Sequence, residues 1–206
     1  MAYRETPRMK ARKEATRQRI LDTTHALVAE NGFRLTSVAG IADRAGVAIG
    51  SVYRHFESKS DLFAEVFRSA TELEVRKVAE ALATDAPPDR ALVDSLRVFA
   101  GRATRGPTMA WALIAEPVDR LVDEERLRYR QAYAELFQRN LERGMEQGCY
   151  RDGQDPHLNS AAIVGAIAEA LVGPLSPAAG GSDDDSAQQV IENIVRFCMQ
   201  AVRNLE

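Results

Sequence analysis

Residues 36–56, TSVAGIADRAGVAIGSVYRHF, decide how the rest of the chain is read. Val38, Ile41, Ala42 and Ala45 recur at the spacing of one helical face. Thr36 and Ser37 precede that run, where a hydroxyl caps free backbone N–H groups. Gly46 ends the helix, because glycine tolerates the left-handed conformation that a helix C-terminus often requires. A second helix follows from about Ala48, with Val52 and Phe56 four residues apart and facing inward. Gly50, Ser51, Arg54 and His55 are left outward. A short helix, a glycine turn and a helix with a small, polar and basic outer face make a helix-turn-helix, whose second helix fits the DNA major groove.

The run 46–59, GVAIGSVYRHFESK, resembles the DNA-binding signature of the TetR-type (tetracycline-repressor-like) transcriptional regulators. The resemblance reaches back through Arg19-Ile20-Leu21-Asp22 and Asn31-Gly32-Phe33, forward to Leu62-Phe63, and covers roughly residues 15–66. It implies phosphate contacts from Tyr53, His55 and Lys59, and places Ile49, Ser51 and Arg54 against bases or the groove wall. Thr36, Ser37 and Gly50 complete the expected DNA-binding set. Two positions depart from the family pattern. Ala48 replaces the usual Ser or Thr at the start of the second helix, removing a cap. Ile49 replaces a frequently polar or basic residue and suits a thymine methyl rather than a hydrogen bond.

Working outward, the charge distribution agrees with this reading. The net charge of −3 alone does not suggest nucleic acid. Residues 1–60, however, carry 11 Lys+Arg against 6 Asp+Glu, whereas residues 61–206 carry 16 against 24. A basic N-terminal module on an acidic body concentrates positive potential where phosphates dock. The 45% hydrophobic and 28% charged content is that of a globular protein. Two cysteines, Cys149 and Cys198, are too few for a disulfide framework and fit a reducing compartment. The start, MAYRETPRMKARKEATRQR, lacks the apolar segment of a signal peptide. The most apolar run, 161–172, is about a dozen residues, contains Glu169 and is too short to span a bilayer. A cytoplasmic protein without membrane contact is expected.

Residues 1–12, with Arg4, Arg8, Lys10 and Arg12, read as a disordered arm able to add DNA contacts. A first helix is expected from about Lys13 to Asn31, capped by Asn31-Gly32. Ser58 with Asp61 resembles a capping box opening a helix to about Leu82, long enough to join an N-terminal head to a body. Asp85-Ala86-Pro87-Pro88-Asp89 breaks it. Three units follow: residues 1–57 as arm and helix-turn-helix, 58–88 as connecting helix and loop, and 89–206 as a helical bundle. No strand pattern interrupts the body, so the fold class is all-α. Helices are expected over about 90–104, 108–115, 122–147, 157–172 and 183–204.

Two apolar excesses suggest what the body does. The last two helices carry more apolar surface than one chain needs to cover. Paired with their copies they make a four-helix homodimer interface, expected at Ala162, Ala166, Ala170, Ile191, Ile194, Cys198 and Val202. A dimer also spaces two recognition helices one DNA turn apart, about 34–36 Å. The second excess comprises Phe99, Met109, Trp111, Leu113, Tyr129, Tyr133 and Phe137, with Glu116, Arg126 and Arg130 nearby in sequence. Such a cluster suits a pocket for a small hydrophobic effector, uncharged or weakly acidic.

Enzymatic readings find little support. His25, His55 and His157 lie far apart, no Cys-x-x-Cys pair suggests zinc, and neither a phosphate loop nor a nucleophile elbow is present. No metal or other cofactor is expected. The sequence therefore points to a regulator that binds a palindromic double-stranded operator and is released by an effector. An effector-independent structural DNA-binding protein, or an activator of the same fold, is the alternative; a helix-turn-helix fused to a catalytic domain is disfavoured.

Overall fold

The computed structural model describes residues 6–180 and 183–203. Arg4 of the expected arm, Ser182 of the expected loop, and Asn204 and Leu205 of the last expected helix lie outside the described residues. Among the described residues the regular structure is entirely helical, as expected: α1 (Pro7–Leu35), α2 (Val38–Ala45), α3 (Ile49–His55), α4 (Lys59–Leu82), α5 (Pro88–Arg105), α6 (Pro107–Ile114), α7 (Arg120–Glu146), α8 (Pro156–Leu175) and α9 (Asp184–Val202). A single 3-10 turn, Pro177–Ala179, follows α8.

The N-terminal arm departs from expectation. Residues 7–12 belong to α1 rather than to a disordered tail. Thr6 caps the helix by accepting a bond from the Met9 N–H, and Pro7 occupies the first turn, where its missing N–H costs nothing. Residues 7–15 are nonetheless exposed, so this extension stands on capping and propensity rather than burial. At the other end, Gly32 (φ 76°, ψ 175°) interrupts α1 where Asn31-Gly32 was expected to end it, and a last short turn continues to Leu35.

Two cores organise the chain. One gathers Ile20, Val28 and Phe33 of α1, Ile41 of α2, Val52 of α3 and Leu62, Phe63, Val66 and Phe67 of α4. The other gathers α5, α7, α8, α9 and the far end of α4 through Val78 and Leu82. At ~1.5 Å per residue the 24 residues of α4 extend about 36 Å, so one rigid rod is anchored in both cores. Residues from α6 and α7, Ala112 and Val122, enter the N-terminal core, and the two halves therefore meet along α6 as well as α4. Helix α8 spans 20 residues with a mean hydropathy of 1.5, longer than its sequence suggested and enough by composition to cross a bilayer. Ile163, Val164, Ile167, Ala168 and Leu171 are instead buried against the body, and Glu169 lies on the exposed face.

Candidate DNA-binding face and ligand cavity

The α2–α3 unit is built as its residues dictate. The Ser37 hydroxyl accepts the Gly40 N–H at 3.1 Å, capping α2. Gly46 takes φ 64° and ψ 40° at the C-terminus of α2, and Val47 turns back with its N–H on Ala42 O at 2.9 Å. Ala48 stands at the N-cap of α3 with no side-chain bond, leaving that helix start uncapped. Ile49 and Tyr53 are each 49% exposed and, four residues apart, share one outward strip of α3. Gly50 and Arg54 are also exposed, and Ser51 is half-buried. A Cβ built on Gly50 meets nothing within 4 Å. Nothing inside the protein therefore requires glycine at a helical position where alanine is favoured by about 1 kcal/mol.

The remaining expected contacts are placed less simply. Lys59 opens α4 with its ammonium 4.7 Å from the centroid of the Phe63 ring. His55 is half-buried beside Lys13 and Arg17 of α1. Burial holds its pKa below the usual histidine range, with the two cations adding to that and Glu14 opposing it. Thr36 requires a correction. It is buried, and its hydroxyl donates to Gly32 O at 2.7 Å, so it holds the α1 kink and has no free surface for DNA. Ser37 is exposed, but its hydroxyl is already engaged as a cap.

In the body, a cavity of about 470 Å³ opens between α4, α5, α6, α7 and α8. Phe99, Met109, Leu113, Tyr129 and Tyr133 line it, as expected from the sequence. Phe99 and Tyr133 meet edge to face at 4.9 Å between centroids. Three expected residues do not line it. Phe137 is fully buried in the body core, Trp111 packs against that core from α6, and Glu116 faces the N-terminal core instead. Sequence reasoning missed the wall from α4 (Phe67, Thr71, Glu74, Val78) and the C-terminal end of α5 (Arg102, Arg105). A signal was present in α4, where Thr71 and Glu74 interrupt an otherwise apolar face.

Glu116 has a different role from the expected one. Its carboxylate accepts the Phe33 N–H at 2.8 Å and the Arg34 N–H at 2.9 Å, the two amides that follow the Gly32 break. A Cβ on Gly32 would fall 2.9 Å from both carboxylate oxygens, so only glycine admits this approach. Arg126 secures the same stretch from the other side. Its guanidinium donates to Leu113 O at 3.0 Å and Glu116 O at 2.8 Å, pairs with Asp123, and lies 5.7 Å from the Phe67 ring centroid. Burial pulls the Arg126 pKa down, opposed by Asp123. Because Arg126, Leu113 and Phe67 all line the cavity, its wall continues by direct contacts to the backbone entering α2.

The expected dimer surface is split. Ala162 and Ala170 are exposed on α8 and Ala166 is half-buried there, next to an exposed Leu158. Ile191, Ile194, Cys198 and Val202 are corrected: all four are buried in the core of their own chain, and the Cys198 thiol is pushed up to about 11 by burial. The amphipathic stripe of α9 was legible, but it faces α5 and α8. The exposed side of α9 carries Phe197, 63% exposed.

Comparison with known proteins places these features in a family. Residues 20–66 match the model described as "Bacterial regulatory proteins, tetR family". The chain is 33% identical over 150 residues to the HTH-type transcriptional repressor KstR2 of Rhodococcus jostii, covering 71% of this chain and 73% of that protein. It is 27% identical over 201 residues to a probable acrEF/envCD operon repressor of Escherichia coli, covering 93% and 90%. Its fold is similar to that of the Bacillus subtilis transcriptional regulator FadR, solved in complex with stearoyl-CoA. The TM-score is 0.75 at 19% identity, over 90% of this chain and 99% of that one.

Proposed function

This chain belongs to the TetR family of bacterial regulatory proteins, and from that membership we propose that it is a homodimeric repressor released from a palindromic operator by a small, largely apolar effector. Residues 1–57 form the DNA-binding head, 58–88 the connector and 89–206 the effector-binding and dimerising body. Ile49, Gly50, Ser51, Tyr53 and Arg54 present the groove-facing surface, and His55 and Lys59 sit where phosphates pass. Leu158, Ala162, Ala166 and Ala170 of α8, with Phe197 of α9, form the dimer face. Acting on DNA places the protein in the cytoplasm.

The observation that carries this reading is the Glu116 carboxylate. Glu116 follows α6, whose Leu113 lines the cavity, and holds the Phe33 and Arg34 amides, while the cavity-lining Arg126 grips its backbone carbonyl. An effector that displaces α6 alters the entry to α2 and the tilt of α4 together, and so changes the spacing of the two α3 helices across the dimer. A ligand shifts such an equilibrium only by its differential affinity for the two states, typically ~1–3 kcal/mol of coupling.

Retardation of the chain's own promoter fragments, measured against salt, tests the reading. Tyr53→Ala or Lys59→Ala is expected to weaken specific and random DNA alike and to flatten the salt slope. Arg54→Ala is expected to cost ~1–3 kcal/mol at one or two base positions only. No retardation at low ionic strength, or equal losses of Arg54→Ala on specific and random DNA, defeats it.

A further inference from the structure

The charges around the body cavity are unbalanced. Glu74 is the sole acidic residue in its wall, and Arg102 occupies both carboxylate oxygens at 2.5 and 2.7 Å. The other three arginines of the wall differ in what engages them. Arg126 is committed to Asp123 and to the carbonyls at the end of α6. Arg105 makes one bond, from Nε to Gly101 O at 2.9 Å, which leaves both terminal nitrogens without a partner. Arg130 makes no hydrogen bond or ion pair among the described residues. Both Arg105 and Arg130 are exposed, so their guanidinium groups sit where the cavity meets solvent.

Deeper in, Tyr133 is buried, and no hydrogen bond engages its hydroxyl among the described residues. Burial pushes the phenol up, so it remains a neutral donor at physiological pH. The hydroxyl is not among the fully enclosed unpaired polar atoms, and the space open to it is the cavity that Tyr133 lines.

We propose that the cavity takes an amphipathic anion, its apolar body against Phe99, Met109 and Leu113 and its carboxylate or phosphate group between Arg105 and Arg130. This rests on the cavity being the effector site, and narrows that site to one ligand class. A cationic head would meet three arginines with no free carboxylate. A neutral body would fill the chamber but gain nothing from the two guanidinium groups at its mouth, which would stay hydrated. Arginine also fits either anion, because its planar fork presents parallel N–H donors to carboxylate and phosphate alike.

The test uses four probes with one twelve-carbon chain, each below its micellar concentration: dodecanoate, dodecyl phosphate, dodecanol and dodecylamine. Binding to the full chain is followed by calorimetry, and by fluorescence of Trp111, the single tryptophan, on the α6 wall helix. The anions are expected to bind about tenfold more tightly than dodecanol, since exposed charge pairs contribute up to about fivefold each. The Arg105→Gln/Arg130→Gln double variant is expected to abolish that preference while leaving dodecanol within about threefold. The preferred anion then separates a carboxylate source from a phosphorylated one. Equal or tighter binding of dodecanol, equal losses of dodecanol and anions in the double variant, or no binding of any probe overturns the proposal. DNA retardation is scored separately: anion preference without DNA binding sinks the repressor reading and leaves this one standing, whereas DNA binding without anion preference does the reverse.

Discussion

Replacing Glu116 with glutamine keeps the side chain's shape and removes its charge. The wild-type carboxylate accepts two amides, Phe33 N–H at 2.8 Å and Arg34 N–H at 2.9 Å, and Glu116 is only 6% exposed. A hydrogen bond to a charged acceptor contributes roughly 1.5–3 kcal/mol net, against about 0.5–1.5 for a neutral one. Glutamine offers one oxygen and turns an amide NH2 toward the second N–H. One bond is therefore weakened, by about 1–1.5 kcal/mol, and the other lost, for an expected loss of about 2.5–4.5 kcal/mol in urea unfolding. Glu116 does not line the cavity, so effector affinity of the free protein is expected to change by less than about threefold. What should fall is the factor by which effector weakens DNA binding, because the link between α6 and the α2 entry is broken.

A double-mutant cycle isolates the contact. Gly32→Ala places a Cβ 2.9 Å from both Glu116 oxygens and forces φ +76° on an L residue. The backbone cost of this essentially glycine-only conformation, about 1–3 kcal/mol, is independent of Glu116, whereas the collision is not. In Glu116→Ala the collision is gone, so Gly32→Ala should cost less there than in wild type by more than the ~0.5 kcal/mol scatter of independent sites. Additive effects, or a Glu116→Gln protein with unchanged stability and unchanged effector-induced release, would refute the latch.

Three further outcomes follow from the placement of single residues. Gly50→Ala should stabilise the fold by about 0.5–1 kcal/mol in thermal unfolding, because its Cβ meets nothing, while weakening operator binding; improved stability with unchanged affinity would remove the argument that DNA approaches this backbone. His55 has a depressed pKa in the free protein, so the unfolded chain binds the proton more readily; its contribution to stability is complete above pH ~6.5 and declines on acidification. A nearby DNA phosphate reverses the shift, so operator affinity per folded dimer should rise from pH 7.5 to 6, by at most tenfold per pH unit, and His55→Gln should flatten both pH profiles. Phe197→Asp should yield folded single chains in ultracentrifugation, whereas Ile194→Ala should cost about 2–4 kcal/mol of chain stability without a comparable effect on association, since Ile194 is 4% exposed within its own core.

Local rules carried the helix-turn-helix because its signals are local: a cap at Ser37, a left-handed Gly46 and apolar spacing at Ile41 and Val52 are each set within a few residues. The same holds for helix starts such as Ser58, which accepts the Asp61 N–H as expected. The α9 stripe was equally clear, but periodicity says only that a face is covered, and Ile194 looks alike under α8 or under a second chain. Glu116 shows the deeper limit. A carboxylate beside an apolar cluster reads as a pocket edge, because sequence distance hides a partner 83 positions away. Gly32 held the complementary clue. A glycine with positive φ exposes the next amides outside any helical ladder, and buried amides require acceptors. The question of what accepts from Phe33 and Arg34 was therefore posed by Asn31-Gly32-Phe33. Its answer required knowing that α6 packs across α1, a non-local fact fixed by how the two cores meet.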